Sequence, residues 1–255
     1  MSTKTVLITG GASGIGYGIG EYLGNQGHHI VIADINGQSA ELAAGKLRKL
    51  GIVADSIVID VSSSQQIEGL VDALMPLQID VLINNAGIQH VSKLEDFPAD
   101  KWQMLINIML VGPALLSKAF LPGMRERNFG RIINIGSLHS LVASPYKSAY
   151  VAAKHGLLGF AKTVALEIGQ ANITINTLCP AYVKTPLVEQ QIAAQALQNN
   201  ITEAEVIDKI MLEPMPKKAF ISIDELAASA AFLISDGARN MTAQTLVIDG
   251  GWTAR

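Results

Sequence analysis

The 255-residue chain sets 19 Lys and Arg against 22 Asp and Glu, a formal net charge of −3, so it offers no basic field for nucleic acid. Its lone cysteine, Cys179, excludes an intrachain disulfide, fits a reducing, cytoplasmic compartment and reads as a small buried apolar side chain. A hydrophobic content of 49% and a mean hydropathy of +0.31 predict apolar surface covered between subunits. No apolar run is expected to reach the roughly 20 residues of a membrane helix, and the start Met1-Ser2-Thr3-Lys4 is expected to leave no room for a signal peptide.

Apolar runs predict strands at Thr5–Thr9, His29–Ala33, Val53–Ile59, Val81–Asn84, Gly130–Gly136, Thr174–Leu178 and Thr245–Ile248. Most are continuous rather than alternating, as a sheet buried on both faces requires. Helical patterns fill the gaps at Gly14–Gln26, Gln38–Leu50, Ser64–Leu74, Ala99–Met124, Ser148–Ile168 and Asp224–Ser235, with Ser62-Ser63-Ser64 and Ile223-Asp224 as expected caps for the third and the last. The alternation predicts an α/β fold: a single domain over residues 1–255, with a doubly wound, Rossmann-type parallel sheet of seven strands and helices on both faces. Lys184 to Phe220 departs from it, broken at Asn199-Asn200 and ending near Pro214 and Pro216. Ligands of such sheets bind beyond the carboxyl ends of the strands. The segment is therefore expected to be a helical substrate lid over residues 184–220, with an oligomer contact as the alternative.

The first strand runs into Thr9-Gly10-Gly11-Ala12-Ser13-Gly14-Ile15-Gly16, and the second ends on Asp34. Glycines let a backbone approach a pyrophosphate, and the N–H groups of the following helix attract its charge. Asp34 can accept hydrogen bonds from both ribose hydroxyls and would repel a 2′-phosphate, while neither Ile35 nor Ser13 supplies a cation. That pattern favours NAD over NADP. Far downstream, Tyr150 and Lys154 stand four apart on one helix, side by side. A cation next to a phenol favours the phenolate, so the pair can exchange a proton at neutral pH. Ser137, at the end of the fifth strand, is either a cap or a hydroxyl aimed at a reacting oxygen. Asn84-Asn85-Ala86-Gly87 is either a turn or a floor beneath a cofactor. Asn107 lies inside a helical pattern that disfavours it, which predicts a kink or a buried polar role.

These residues together resemble the short-chain dehydrogenase/reductase family over essentially the whole length. Thr9–Gly16 is similar to its T-G-x-x-x-G-x-G, Asp60-Val61 to its adenine contact, and Asn84–Gly87 to its N-N-A-G. Asn107, Ser137, Tyr150 and Lys154 are similar to its catalytic tetrad. The resemblance implies Tyr150 as general acid/base, Ser137 as the group polarising the reacting oxygen, Lys154 lowering the tyrosine pKa and holding the nicotinamide ribose, and Asn107 anchoring a relay water. It also implies NAD contacts from Gly10, Ser13, Gly14, Ile15, Gly16, Asp34, Asp60, Val61, Asn85, Ala86, Gly87, Tyr150, Lys154, Pro180, Val183 and Thr185. The usual Pro-Gly after the sixth strand is Pro180-Ala181 here, which puts the local turn shape in question.

Within that family the chain is similar to bacterial D-3-hydroxybutyrate dehydrogenases. The likeness rests on Gln89-His90, His139, Lys147 before Ser148-Ala149-Tyr150, and Thr185-Pro186-Leu187-Val188 with Gln191. It implies a small hydroxy-acid substrate whose carboxylate meets Gln89, His139, Lys147 and Gln191 beside Ser137 and Tyr150. Tyr182 would stand in the apolar wall, where relatives often carry a tryptophan. His90 has no assigned role, and no metal site is read. The alternatives are an enzyme of the same scaffold acting on a neutral ketone, diol, sugar acid or keto-acyl group, and a dinucleotide-binding sensor without turnover. The family also implies a homotetramer, with Gly156, Gly159 and the run Asp249–Trp252 as expected subunit contacts.

Overall fold

The computed structural model describes residues 3–74 and 77–254, Leu187 by its backbone alone. Seven strands, β1 (Thr5–Thr9), β2 (His29–Asp34), β3 (Ala54–Val58), β4 (Val81–Asn84), β5 (Gly130–Ile135), β6 (Ile173–Pro180) and β7 (Thr245–Ile248), pair in parallel in the order β3-β2-β1-β4-β5-β6-β7. All seven expected strands are present, with ends moved by a residue or two. The order reverses between β1 and β4, which opens a crevice above their carboxyl ends.

Helices α1 (Gly14–Asn25), α2 (Gly37–Lys49) and α9 (Ile223–Ile234) cover one face of the sheet. Ile19, Leu23, Leu47 and Leu233 pack there on Ile8, Ile30, Ile32 and Ile83. Helices α3 (Ser64–Leu74), α5 (Gly112–Glu126) and α6 (Ser148–Glu167) cover the other, where Leu70, Phe120, Met124 and Val164 meet Leu7, Val31, Leu82 and Ile132. Alternate side chains of each strand enter opposite clusters, so the continuous apolar runs are explained by double burial.

The expected helix over residues 99–124 is helix α4 (Ala99–Ile106), a π-helical turn (Asn107–Val111) and α5 in continuous succession. Pro113 has no N–H and its ring crowds the carbonyl four residues back, so the ladder skips a residue and the Gly112 N–H reaches Asn107 O. Gly112 is needed there, since a Cβ would lie 2.6 Å from Val61 O. The whole stretch, Ala99–Glu126, is 28 residues with a mean hydropathy of 1.8 over its most apolar window, which is long and apolar enough to cross a membrane. That corrects the expectation of no such run. The physical reason is a core role: Leu105, Met109, Leu116, Phe120 and Met124 are buried inside the fold.

The segment after β6 forms α7 (Pro186–Asn199), α8 (Glu203–Val206) and a second π-helical turn (Ile207–Met211). Asn200 ends α7 in the left-handed region at φ 51°, a conformation Asn tolerates. The segment has its own core of Ile192, Val206 and Met211. Ala181 shows no positive φ, so alanine follows Pro180 without strain.

Ser63 Oγ accepts the Gln66 N–H at the start of α3, as expected. At α9 the cap is Ser222 rather than Ile223-Asp224: its hydroxyl accepts the Glu225 N–H while Glu225 reaches back to the Ser222 N–H. Replacing Ser222 with alanine removes one half of this reciprocal pair and should lower stability by about 0.5–2 kcal/mol. A urea unfolding midpoint unchanged from the native chain would show that the cap contributes nothing.

Candidate active site

A cleft of ≈ 400 Å³ lies over the carboxyl ends of the strands, floored by the β1 and β4 tips and walled by the segment after β6. Gly10 and Gly14 take φ of +59° and +55°, the left-handed region that glycine enters freely. A Cβ on Gly10 would sit 2.9 Å from Ala86 Cα. The turn is clamped to β4: Asn85 Nδ2 donates to Thr9 O and Gly10 O, both at 3.0 Å. Thr9 Oγ1 in turn accepts the N–H groups of Asn85 and Ala86. Ser13 occupies the N-cap of α1 without using its hydroxyl for capping. These observations fit a dinucleotide: open backbone at a helix start, no Cβ in the way, and an uncommitted hydroxyl on the rim.

Asp34 Oδ2 accepts the Ala12 N–H at 3.3 Å and Oδ1 the Asn36 N–H at 3.1 Å, which holds its carboxylate on the rim beside the glycine turn. Asp60 Oδ1 takes the N–H and hydroxyl of Ser62 and so braces its own turn. Of the expected cofactor contacts, every one except Gly16 lines the cleft. Gly16 lies beneath, where a Cβ would come within 2.6 Å of Gly10 O and Asn85 Nδ2. Its part is to let α1 close on the turn.

The other end of the cleft gathers Ser137, His139, Lys147, Tyr150, Lys154, Tyr182, Gln89 and Gln191. Ser137 is both the expected cap and a cleft residue: its hydroxyl accepts the His139 N–H at 3.1 Å at the head of a short 3-10 turn (Leu138–Ser140). Tyr150 opens one edge to the cleft, and burial pushes its phenol above 10.0, with the Ser137 hydroxyl pulling the other way. Lys154 is 5% exposed and donates to Ile135 O at 2.6 Å. Its Nζ lies 5.6 Å from the Tyr150 ring centroid. Loss of solvent lowers the Lys154 ammonium to about 8. In the protein by itself burial dominates at both groups, raising the Tyr150 phenol and lowering the Lys154 ammonium.

Asn107 does not line the cleft. Its side chain accepts from Gln103 Nε2 at 2.9 Å near the surface, and its misfit in the helix marks the start of the π turn. His139 is buried, its Nε2 lies 2.7 Å from Ser144 Oγ and its Nδ1 3.5 Å from Ser137 Oγ. Burial first, then the neighbouring Lys147 charge, lowers it to about 4, so it is neutral at pH 7.

Lys147 is half-buried, lowered in pKa by lost solvation, and among the described residues meets no carboxylate within salt-bridge distance. Gln89 carries a buried amide oxygen without a partner. Tyr182 packs against Trp252 with ring centroids 6.1 Å apart. His90 stacks edge-on against Phe97 at 4.9 Å, a packing role. Sequence reasoning missed Thr9 as the clamp, although it opens the glycine motif. It also missed Ser144 and the setting of Cys179, buried near the end of β6 with its thiol pushed up by lost solvation.

Residues 4–196 match the short chain dehydrogenase family, and the chain belongs to it: it is an oxidoreductase of the alcohol-dehydrogenase type, in a family that uses a nicotinamide cofactor. It is similar to the D-beta-hydroxybutyrate dehydrogenase of Rhizobium meliloti (strain 1021), 42% identical over 267 positions covering 99% of this chain and 100% of the relative. The D-beta-hydroxybutyrate dehydrogenase of Cupriavidus necator is likewise 42% identical, with 100% of each chain covered. Among solved structures, an actinorhodin polyketide ketoreductase with NADPH superposes with a TM-score of 0.94 at 31% identity, covering 99% of this chain and 98% of that one.

The buried, poorly compensated Lys154 gives a test of the site without any ligand. Its folded value, about 8, lies below the ordinary 10.5. The folded chain therefore binds fewer protons than the unfolded one between these values, and the cost of burying the charge is full below about pH 8 and fades as pH rises toward 10.5. Lys154→Met should unfold a few degrees higher than the native protein at pH 7, with the gap shrinking near pH 10. Equal melting temperatures at both pH values would mean that the ammonium is solvated.

Proposed function

We propose that the protein oxidises (R)-3-hydroxybutyrate reversibly to acetoacetate with NAD. The observation that carries the reading is Lys147, a half-buried ammonium on the cleft wall with no carboxylate partner among the described residues. It stands three residues before Tyr150, so an anionic group two carbons from the reacting oxygen meets it. Gln89, with its uncommitted amide, and Gln191 of α7 complete the carboxylate cradle, and Tyr182 supplies an apolar wall. The two relatives named for this activity support the same choice.

The bound nicotinamide supplies the hydride acceptor. Gly10, Ser13, Gly14, Ile15, Asn85, Ala86 and Gly87 would hold the pyrophosphate and its neighbours, Asp34 the adenosine ribose, Asp60 and Val61 the adenine, and Pro180, Val183 and Thr185 the nicotinamide end. Ser137 donates a hydrogen bond to the substrate oxygen. Tyr150 takes the hydroxyl proton, and Lys154 supports the phenolate that briefly replaces the phenol. Asn107 completes the tetrad through the π turn it opens against α6. The segment over residues 184–220 acts as the lid that excludes water.

Asp34 argues for NAD, because a 2′-phosphate beside its carboxylate is repelled. The lone buried Cys179 fits a cytoplasmic setting. A homotetramer is supported by Met104, Val111 and Leu166, apolar and exposed on α4, the π turn and α6. Gly156 serves the chain itself, since a Cβ there would strike Leu110, whereas Gly159 faces open space and stays available to a partner. Trp252 is also occupied within the chain, against Tyr182.

Steady-state NAD reduction with each enantiomer of 3-hydroxybutyrate tests the reading: turnover is expected with the (R) form alone, and turnover with neither would reject it. Lys147→Ala should lower kcat/KM for the hydroxy acid ten- to a hundredfold, roughly one charge-assisted hydrogen bond, with NAD affinity unchanged by titration. Asp34→Ala should narrow the preference for NAD over NADP by about tenfold. The ratio of the two kcat/KM values reads this directly, and a constant ratio would remove Asp34 from cofactor selection.

A further inference from the structure

Ser140 closes the short 3-10 turn after β5, is 1% exposed and lies off the cleft lining. The turn begins where the sheet ladder ends. The Gly136 N–H still donates to Leu178 O of β6 at 2.7 Å. One residue on, the Ser137 N–H donates instead to Ser140 Oγ at 3.2 Å. Gly136 leaves room for this return, since a Cβ there would lie 3.0 Å from Ser140 Oγ and 2.7 Å from Cys179 Sγ. The Ser140 N–H completes the pairing on Ser137 O at 2.8 Å.

The directions of these bonds are fixed, because a backbone N–H can only donate. Ser140 Oγ is the acceptor for the Ser137 amide, and Ser137 Oγ is the acceptor for the His139 amide at 3.1 Å. Ser137 is therefore held at two points, its amide by the Ser140 side chain and its oxygen by the His139 backbone. Its hydroxyl proton is what remains to be given to a ligand. Without the Ser140 oxygen the Ser137 amide would be a buried donor lacking an acceptor, and the chain would shift there to recover one. The hydroxyl would move with its backbone. Misplacement by about 1 Å can lower a rate about a hundredfold. The same strand end carries Ile135 O, which accepts from Lys154 Nζ at 2.6 Å. Residues 135–137 thus hold one tetrad side chain and supply another.

We infer that Ser140 is a positioning residue: by holding the Ser137 amide, it aims the Ser137 hydroxyl at the reacting oxygen. This rests on the assignment of Ser137 to that oxygen in the proposed reaction. It adds to the site a side chain that lines no part of the cleft. Negative charge on the reacting oxygen grows during turnover, so a misaimed donor costs the transition state more than the bound substrate.

The test is a double-mutant cycle in steady state with (R)-3-hydroxybutyrate and NAD. Ser140→Ala should lower kcat about tenfold, with KM within about twofold. In a Ser137→Ala background, where no hydroxyl is left to aim, the same change should alter kcat by less than about twofold. A purely structural role would lower kcat by one factor in both backgrounds. That result, or a Ser140→Ala kcat equal to the native value, overturns the inference. Hydrogen exchange of the native protein decides the matter if Ser140→Ala does not fold. The Ser137 amide should exchange about a hundredfold more slowly than an unbonded amide, and exchange at the unbonded rate overturns the inference by itself. The exchange measurement needs no substrate. Failure of the hydroxybutyrate reading would appear instead as no turnover by the native enzyme while that amide stays protected.

Discussion

Lys154 is the constraint around which the site is arranged. A cation with 5% of its surface exposed and one backbone carbonyl as its recorded partner is a net cost to the folded chain. The surrounding scaffold tolerates it because two large apolar clusters on opposite faces of the sheet supply the stability. The cost is functional: an ammonium that water has left interacts strongly with whatever negative charge arrives. Burial pushes the Tyr150 phenol up and so disfavours its phenolate in the protein by itself. In the proposed reaction a bound nicotinamide cofactor would supply the compensating hydrogen bonds and positive charge.

The cleft as a whole is polarised along its length. Asp34 and Asp60 stand at the end above β2 and β3, Lys147 and Lys154 at the end above β5 and β6, with His139 neutral between the lysines. A dinucleotide laid across the strand-order reversal puts its adenosine at the acidic end and its nicotinamide at the cationic one. An anionic substrate entering beside the nicotinamide meets the only cationic part of the cleft lining. Sheet topology and charge therefore select the same orientation.

Much of this was legible in the sequence because the informative residues are locally constrained. Strands buried on both faces must be continuous apolar runs, and the glycine turn must lack side chains where Gly10 meets Ala86. The π turn was legible only as a misfit at Asn107; its cause, Gly112-Pro113 inside the helix, was equally visible. The cap of α9 was misplaced because Asp224, two residues on from Ser222, is a plausible cap, and only the reciprocal Ser222–Glu225 pairing decides. The partners of His139 were not legible at all. They depend on the path of the loop between the short 3-10 turn and α6, and no pattern in residues 141–147 encodes that path.

The same loop shows how the substrate end is built. It carries Ser144 and Lys147 three residues apart, around a proline and a tyrosine in left-handed backbone pinned to Ser92. A bulky residue at positive φ persists only where its surroundings hold it. Here the hold fixes two distances together: the hydroxyl to His139, and the ammonium to the cleft. In the proposed function the oxygen end of a hydroxy acid would be governed by Ser137 and Tyr150, and its carboxylate end by Lys147. One loop sets the spacing between them, so in that proposal the selection of substrate chain length would reside in backbone geometry rather than in any single contact.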